Sequence, residues 1–140
     1  MRFWDSSAII PLVVPEEETE IVTRLLTEDP QMLVWTLTIT EIYSAVYRKI
    51  RAHQLQSTLL PSLRDRLQQV GRGWSEIIQI EGVRSRANRL LAVHPLRAAD
   101  ALQLAAALLA FQDRSEGAEL VTFDFNLRQA AENEGFVVLP

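Results

Sequence analysis

The chain has 140 residues, of which 48% are apolar, and a formal net charge of −4. This length and composition suit one compact domain with a substantial core, spanning residues 1–140. The acidic balance argues against a protein held on nucleic acid mainly by a broad basic face, because such binding depends on counterion release by many Lys and Arg side chains. It leaves open a site in which bound metal ions carry the positive charge.

The sequence contains no cysteine, which excludes disulfides, thiolate nucleophiles and the usual structural zinc sites. Its two histidines, His53 and His94, have no metal-ligand spacing, and we expect them at solvent-facing or helix-end positions. No extended basic segment opens the chain, and no apolar stretch approaches about twenty residues. We therefore expect a cytoplasmic protein without a signal peptide or a membrane span.

The predicted elements alternate short apolar strands with helices. Strands are expected over residues 2–4, 32–35, 76–80, 119–123 and 136–139. Apolar residues at helical spacing, bounded by Gly, Pro and capping residues, predict helices over 8–14, 16–28, 39–53, 56–70, 83–93, 96–111 and 126–134. No hairpin turn signal separates the strands, so this alternation predicts an α/β fold with a parallel sheet covered by helices on both faces.

The segment 96–111 has strong helix propensity and is apolar almost all the way round, which predicts a buried helix. Asp100 falls in its second turn, flanked by alanines. Burying an ionised carboxylate without a partner costs several kcal/mol. Asp100 therefore requires a cation.

Three further acids, Asp5, Glu41 and Asp124, each fall just after a predicted strand, at or near the start of the next helix. Ligands of an open parallel sheet bind outside the carboxyl ends of its strands, so these acids should converge there, with Asp100 joining from the side. Carboxylates brought together raise one another's pKa values unless hard cations are present. Oxygen-only ligands favour Mg²⁺ or Mn²⁺.

Each acid also has a simpler interpretation as a helix-start residue. Asp5 and Asp124 could be ordinary N-caps, and Glu41 completes the capping box Thr38-Ile-Thr-Glu41. Asp100 could complement the dipole of its helix. These interpretations do not explain why all four acids gather at one rim, and for that reason we favour the metal site.

Four segments carry a resemblance to a known family: DSSAII from Asp5, TEIYSA from Thr40, LRAADALQLA from Leu96 and VTFDFNL from Val121. They resemble, in order and spacing, the four acidic motifs of the PIN domain, and are most similar to the VapC-like ribonuclease toxins of toxin-antitoxin pairs. The resemblance implies one PIN domain over the whole chain, a Rossmann-like three-layer α/β/α sandwich around a parallel sheet of about five strands. It also implies an endoribonuclease that hydrolyses RNA phosphodiester bonds with Mg²⁺ or Mn²⁺.

Carried over to this chain, the resemblance implies a set of catalytic and metal-binding acids: Asp5, Glu41, Asp100 and Asp124. Ser6 and Thr122 stand where similar proteins often place a hydroxyl near the site, with turn and strand-end roles as the alternative. Asn126 falls near where some relatives have a further acid, which leaves the number of metal ions open. Arg97 is either a phosphate contact or an ordinary exposed arginine at a helix start.

The resemblance also implies protein partners. A cognate antitoxin would cover the acidic rim, and a basic residue inserted near the acids would suit four carboxylates. Family members commonly form homodimers. An interface here, or ordinary core, would use the following apolar residues: Tyr43, Val46, Tyr47, Leu55, Leu59 and Leu60.

Three other functions remain open. A receiver-type phosphoacceptor also gathers acids and magnesium above a parallel sheet, but it usually needs paired acids after the first strand and a late lysine, whereas the only lysine here is Lys49. A PIN-like domain could instead serve as a binding or scaffold module without useful catalysis. A nuclease that processes RNA without acting as a toxin is the third.

Overall fold

The computed structural model describes all 140 residues and contains five strands and seven α-helices. The strands are β1 (Arg2–Trp4), β2 (Met32–Trp35), β3 (Trp74–Ile77), β4 (Glu119–Val121) and β5 (Val137–Leu139). The helices are α1 (Ser6–Val13), α2 (Thr19–Glu28), α3 (Thr38–Arg51), α4 (Leu60–Gly71), α5 (Ile80–Val93), α6 (Ala98–Ala110) and α7 (Phe125–Asn133). No helix has the length and apolar character needed to cross a membrane.

The sheet is parallel throughout, with the strand order β3-β2-β1-β4-β5. Successive side chains of a strand point to opposite faces, so Phe3 packs against α5, α6 and α7 while Trp4 packs against α1 to α4. Both β1 and β2 are buried along their whole length, which explains why β2 is apolar throughout and why β1 is apolar after Arg2. The predicted three-layer α/β/α sandwich with five parallel strands is confirmed.

The third strand begins and ends earlier than the sequence predicts. It spans Trp74–Ile77 rather than residues 76–80, because its four residues pair one by one with the four residues of β2. Ile78 and Ile80 are 65% and 60% exposed, and Ile80 already begins α5. These two isoleucines are apolar, so the sequence predicts them as part of a buried strand, but they lie exposed beyond the end of β3.

The helix α6 is buried as predicted, but it starts two residues later than expected. Arg97 has an extended backbone and is its N-cap, so Asp100 lies in the first turn rather than the second. The seven buried residues of α6 all lie beyond Asp100, and Asp100 itself is half-buried. Its carboxylate is thus close to the rim of the sheet.

The candidate interface residues divide between core and surface. Val46 is 3% exposed and belongs to the core. Tyr43 and Leu60 pack against the same core, whereas Tyr47 and Leu59 are exposed. Core packing therefore accounts for part of this apolar excess, and the exposed remainder is available to a partner.

Both histidines lie where the sequence predicts them. His53 is exposed, just after the end of α3, and His94 is the C-cap of α5. The His94 ring is buried and its Nε2 lies 2.8 Å from Glu134 Oε1, so it stabilises the packing of α5 near α7. Neither histidine contacts the acids described below.

Candidate active site

Asp5 directly follows β1 and is the N-cap of α1, as one of the two interpretations of its sequence position predicts. One carboxylate oxygen, Oδ2, accepts hydrogen bonds from the Ser7 backbone N–H at 3.1 Å and from the Ser7 hydroxyl at 2.5 Å. The Thr122 hydroxyl donates to the same oxygen at 3.0 Å. The other oxygen, Oδ1, meets only the Ser6 hydroxyl, at 3.4 Å. The side chain is therefore fixed through Oδ2 and leaves Oδ1 nearly free.

Glu41 lies in the first turn of α3, and the capping box that was its alternative interpretation does not form. Leu37 is the N-cap of this helix, and Thr38 is already inside it. Glu41 Oε2 instead accepts hydrogen bonds from the Ser6 hydroxyl at 2.8 Å and from Gln103 Nε2 at 2.9 Å. Both donors come from other helices, so tertiary contacts rather than local capping orient this carboxylate.

Asp124 follows β4 and is the N-cap of α7, since its Oδ1 accepts a hydrogen bond from the Leu127 N–H at 2.8 Å. Its own backbone N–H donates to the Thr122 hydroxyl at 3.0 Å. The same hydroxyl donates to Asp5. Thr122 thus connects the ends of β1 and β4 and holds the two acids in a fixed relation.

Asp100 approaches the other acids from α6. Burial raises the pKa of its carboxyl, and repulsion from Asp124 and Asp5 raises it further. The backbone N–H and the guanidinium of Arg97 act in the opposite direction and do not cancel these effects. Asp100 is therefore within the electrostatic field of acids that are 24 and 95 positions away in the sequence.

Burial also raises the pKa of Asp5, despite its hydrogen bonds from Ser7 and Thr122. Burial likewise raises the pKa of Glu41, and repulsion from Asp5 and Asp100 raises it further. Hydrogen bonds from Gln103 and Ser6 only partly offset these effects. The structure thus brings all four predicted acids to the carboxyl edge of the sheet, where their charges oppose one another.

The four acids form no ion pair with any cation of the chain. None of the ion pairs in the molecule includes any of the four. Arg97, the nearest candidate in sequence, is exposed and forms no ion pair. The sequence predicts a cation beside Asp100, and no side chain of the protein forms that ion pair.

The donor set suits a hard divalent cation. Asp5, Glu41 and Asp124 each use one carboxylate oxygen for contacts with the chain, while the second oxygen accepts nothing shorter than 3.4 Å. No three acidic or imidazole side chains of the structure lie close enough together to hold a metal ion as they stand. Mg²⁺ fits such an open set, because it retains several waters and takes only one or two carboxylates directly.

A family model described as the PIN domain matches residues 2–133. The chain belongs to the PIN-domain family. PIN domains are generally nucleases and typically bind divalent metals. The fold is similar to that in the crystal structure of FitAcB from Neisseria gonorrhoeae, with a TM-score of 0.56, 16% sequence identity, and coverage of 100% of this chain and 97% of that chain. No curated protein matches the sequence.

The four accessory residues of this PIN domain differ in their relation to the acids. Ser6 and Thr122 contact them directly through the hydrogen bonds described above. Arg97 stands at the start of α6 beside Asp100, with its side chain in solvent. Asn126 is exposed on α7, makes no hydrogen bond to any of the acids, and lines a separate cavity that also includes His94.

Two polar residues at the centre of this PIN domain do not stand out in the sequence. Ser7 fixes the Asp5 carboxylate and also accepts a hydrogen bond from the Phe123 backbone N–H at 2.9 Å. Gln103 fixes Glu41. A glutamine among Ala and Leu in a buried helix is a signal for such a role, but only the fold shows which group it contacts.

Proposed function

We propose that this PIN domain is a Mg²⁺- or Mn²⁺-dependent endoribonuclease that hydrolyses RNA phosphodiester bonds and acts as the toxin of a toxin-antitoxin pair. The observation that carries the proposal is a group of four mutually repelling carboxylates that form no ion pair within the chain. Membership of a family whose members are generally nucleases supports the reaction class. The similarity to VapC-like toxins supports RNA as the substrate.

The acids that would hold the ion are Asp5, Glu41, Asp100 and Asp124. A divalent ion held by these acids would supply Lewis-acid chemistry, namely activation of a water, orientation of the scissile phosphate and stabilisation of charge on the departing 3′-oxygen. The chain contributes preorganised ligands, since Ser7 and Thr122 hold Asp5 while Ser6 and Gln103 hold Glu41. Asp100 makes no side-chain hydrogen bond of this kind and is the acid most free to adjust.

Incubation of the purified protein with single-stranded RNA tests the reaction class. We expect cleavage in the presence of Mn²⁺ or Mg²⁺, no cleavage in EDTA, and recovery when excess metal is added back. Each cut should leave a 3′-hydroxyl on one fragment and a 5′-phosphate on the other, because water attacks the phosphorus and the 3′-oxygen is the leaving group. Cleavage that persists in EDTA would contradict the proposal.

Two exposed side chains at the rim are suited to the substrate. Arg97 lies beside Asp100 and can contact a phosphate of the strand, and Phe125 directly follows Asp124 and is 66% exposed. Bases of single-stranded RNA stack on such rings. Neither side chain is needed to hold the acids.

Replacing Arg97 with Ala should raise KM for RNA by about 3- to 10-fold and leave kcat nearly unchanged, because an exposed phosphate contact contributes to binding rather than to the reacting centre. The loss should shrink as salt is raised. The matched control is Arg66→Ala, which removes another exposed arginine that forms no ion pair. Equal effects of the two substitutions, or a loss confined to kcat, would argue against a phosphate contact at Arg97.

A cognate antitoxin is the expected protein partner. It would supply a cation to the acidic rim, and the exposed apolar residues Tyr47 and Leu59 offer a surface for a second copy of the chain in a homodimer. Co-purification with the small product of a neighbouring gene tests the first partner, and light scattering tests the second. The antitoxin should suppress cleavage, and a bound partner that leaves activity intact would contradict this role.

The competing functions make different predictions. Lys49 forms an ion pair with Glu16 and not with any of the four site acids. This disfavours a receiver-type phosphoacceptor, which usually needs a lysine near its acids. A scaffold without catalysis would show no carboxylate-dependent heat when Mn²⁺ is titrated into the protein in a calorimeter. A nuclease that is not a toxin would cleave RNA without arresting growth when it is expressed alone.

A further inference from the structure

Gln103 is a buried polar residue in an otherwise apolar helix. It is 1% exposed, and the other buried residues of α6 are all Ala or Leu. Burying an amide is unfavourable unless its hydrogen bonds are made. Its Oε1 is buried and has no partner in the chain. Packing alone would favour an apolar side chain at this position, so packing does not explain why the residue is a glutamine.

The amide group of Gln103 makes two hydrogen bonds through the same nitrogen. Nε2 donates to the Thr38 hydroxyl at 3.0 Å and to Glu41 Oε2 at 2.9 Å. A carboxylate only accepts hydrogen bonds, so the NH₂ end of the amide must face Glu41. Thr38 is fully buried and thereby fixes the position of the amide.

A second donor reaches the same carboxylate oxygen. The Ser6 hydroxyl donates to Glu41 Oε2 at 2.8 Å, so donors from α1 and α6 converge on one atom of a residue in α3. No hydrogen bond reaches Glu41 Oε1. Two donors on one oxygen restrict the rotation of a side chain that would otherwise populate several rotamers.

We propose that Gln103 is a positioning residue that, together with Ser6, holds Glu41 by Oε2 so that Oε1 is presented to the divalent ion. The inference rests on the proposed function, because it assigns a role toward the same metal. Partners of metal ligands typically contribute about 10- to 100-fold to metal affinity or activity. A merely structural tie between α3 and α6 would affect folding without affecting the metal.

The test compares Mn²⁺ binding, measured by calorimetry, in the wild type and in Gln103→Met, which has a similar length and no donor. We expect Mn²⁺ affinity to fall by about 10-fold and the Mn²⁺ concentration needed for half-maximal RNA cleavage to rise by a similar factor. Gln103→His, which restores an N–H donor, should recover most of the affinity. Leu104→Met is the matched control, a volume-conserving change at a buried position of the same helix.

A double-mutant cycle shows whether Gln103 acts through Glu41. In a Glu41→Gln background, Gln103→Met should change Mn²⁺ affinity by less than about twofold, because residue 41 no longer has a carboxylate for Gln103 to present to the ion. Gln103→Leu also removes the donor without adding a charge, so its Mn²⁺ affinity decides the question if Gln103→Met does not fold.

Normal Mn²⁺ affinity in a folded donor-less variant would overturn the role of Gln103 alone. A full loss that persists in the Glu41→Gln background would do the same, because it would show an effect that does not pass through Glu41. A wild-type protein that binds no Mn²⁺ would overturn the proposed function as well as this inference.

Discussion

Replacing Asp100 with Asn is expected to lower kcat/KM for Mn²⁺-dependent RNA cleavage by about 10²- to 10³-fold. Metal coordination contributes several kcal/mol of charge stabilisation in a transition state, and each 1.36 kcal/mol corresponds to a factor of ten in rate. Asn preserves the shape of the side chain and removes only its charge. Because Asp100 is repelled by Asp124 and Asp5, the metal-free variant should be at least as stable as the wild type.

The measurement is single-turnover cleavage of a defined RNA, with thermal unfolding of each variant in parallel. Asp65→Asn is the matched control, since Asp65 is an exposed acid on α4 that forms no ion pair. It should cleave at the wild-type rate. Wild-type activity in Asp100→Asn would contradict a role for this acid in the reaction, whereas lost activity with a lowered melting temperature would point to misfolding.

Without metal, the protein is expected to become more stable as the pH is lowered from 7 toward about 5. Asp5, Glu41 and Asp100 all have raised pKa values in the folded state, so the folded protein binds protons more readily than the unfolded chain. Stability is therefore lowest above the raised pKa values and recovers as the pH falls through them toward the ordinary values of 3.8 for Asp and 4.5 for Glu. Protonation at lower pH removes the cost of burying these charges, and it also removes the repulsion that acts on Glu41 and Asp100.

Groups with lowered pKa values act in a different pH window. Asp29 and Asp113 lose their stabilising ion pairs only as the pH falls below their ordinary value of 3.8. The double variant Glu41→Gln with Asp100→Asn should remove much of the pH dependence between 5 and 7. A metal-free wild type whose stability rises with pH across this window would contradict the electrostatic account.

With metal bound, the protein should no longer gain stability as the pH falls from 7 toward about 5, and it should instead be most stable near neutral pH. At a concentration of about 100 times its Kd, an ion that binds only the folded state adds roughly 2.7 kcal/mol to the free energy of unfolding. The gain should be largest near neutral pH, because protons compete with the metal for the carboxylates. Thermal unfolding with and without Mn²⁺ across this pH range measures the effect, and Asp100→Asn should show much less of it.

The sequence predicts the fold well where one physical signal dominates. The buried strand β2 follows from its continuous apolar sequence, and the helix α6 follows from its apolar character and helix propensity. The signal fails at the sheet edge, where Ile78 and Ile80 are apolar and exposed. Such residues cannot be told from buried ones without the pairing of β3 with β2.

The site shows a similar division between local and tertiary determinants. The sequence offers an N-cap and a site acid as alternative interpretations of Asp5 and Asp124. Both residues are N-caps that also act electrostatically on Asp100, so an N-cap role does not exclude a role in the proposed site. The orientation of Glu41 could not be predicted from neighbouring residues, because its partners, Ser6 and Gln103, are 35 and 62 positions away in the sequence. Contacts at that separation are fixed by the packing of helices across the sheet.

The central claim is that these carboxylates share a divalent ion, and crystals soaked in Mn²⁺ test it most directly. Anomalous scattering locates manganese without any assumption about activity. We expect an anomalous peak close to Glu41 Oε1 and Asp5 Oδ1, within the group of four acids: Asp5, Glu41, Asp100 and Asp124. A manganese-soaked crystal with no peak among these four acids, or with its only peak elsewhere on the molecule, would contradict it.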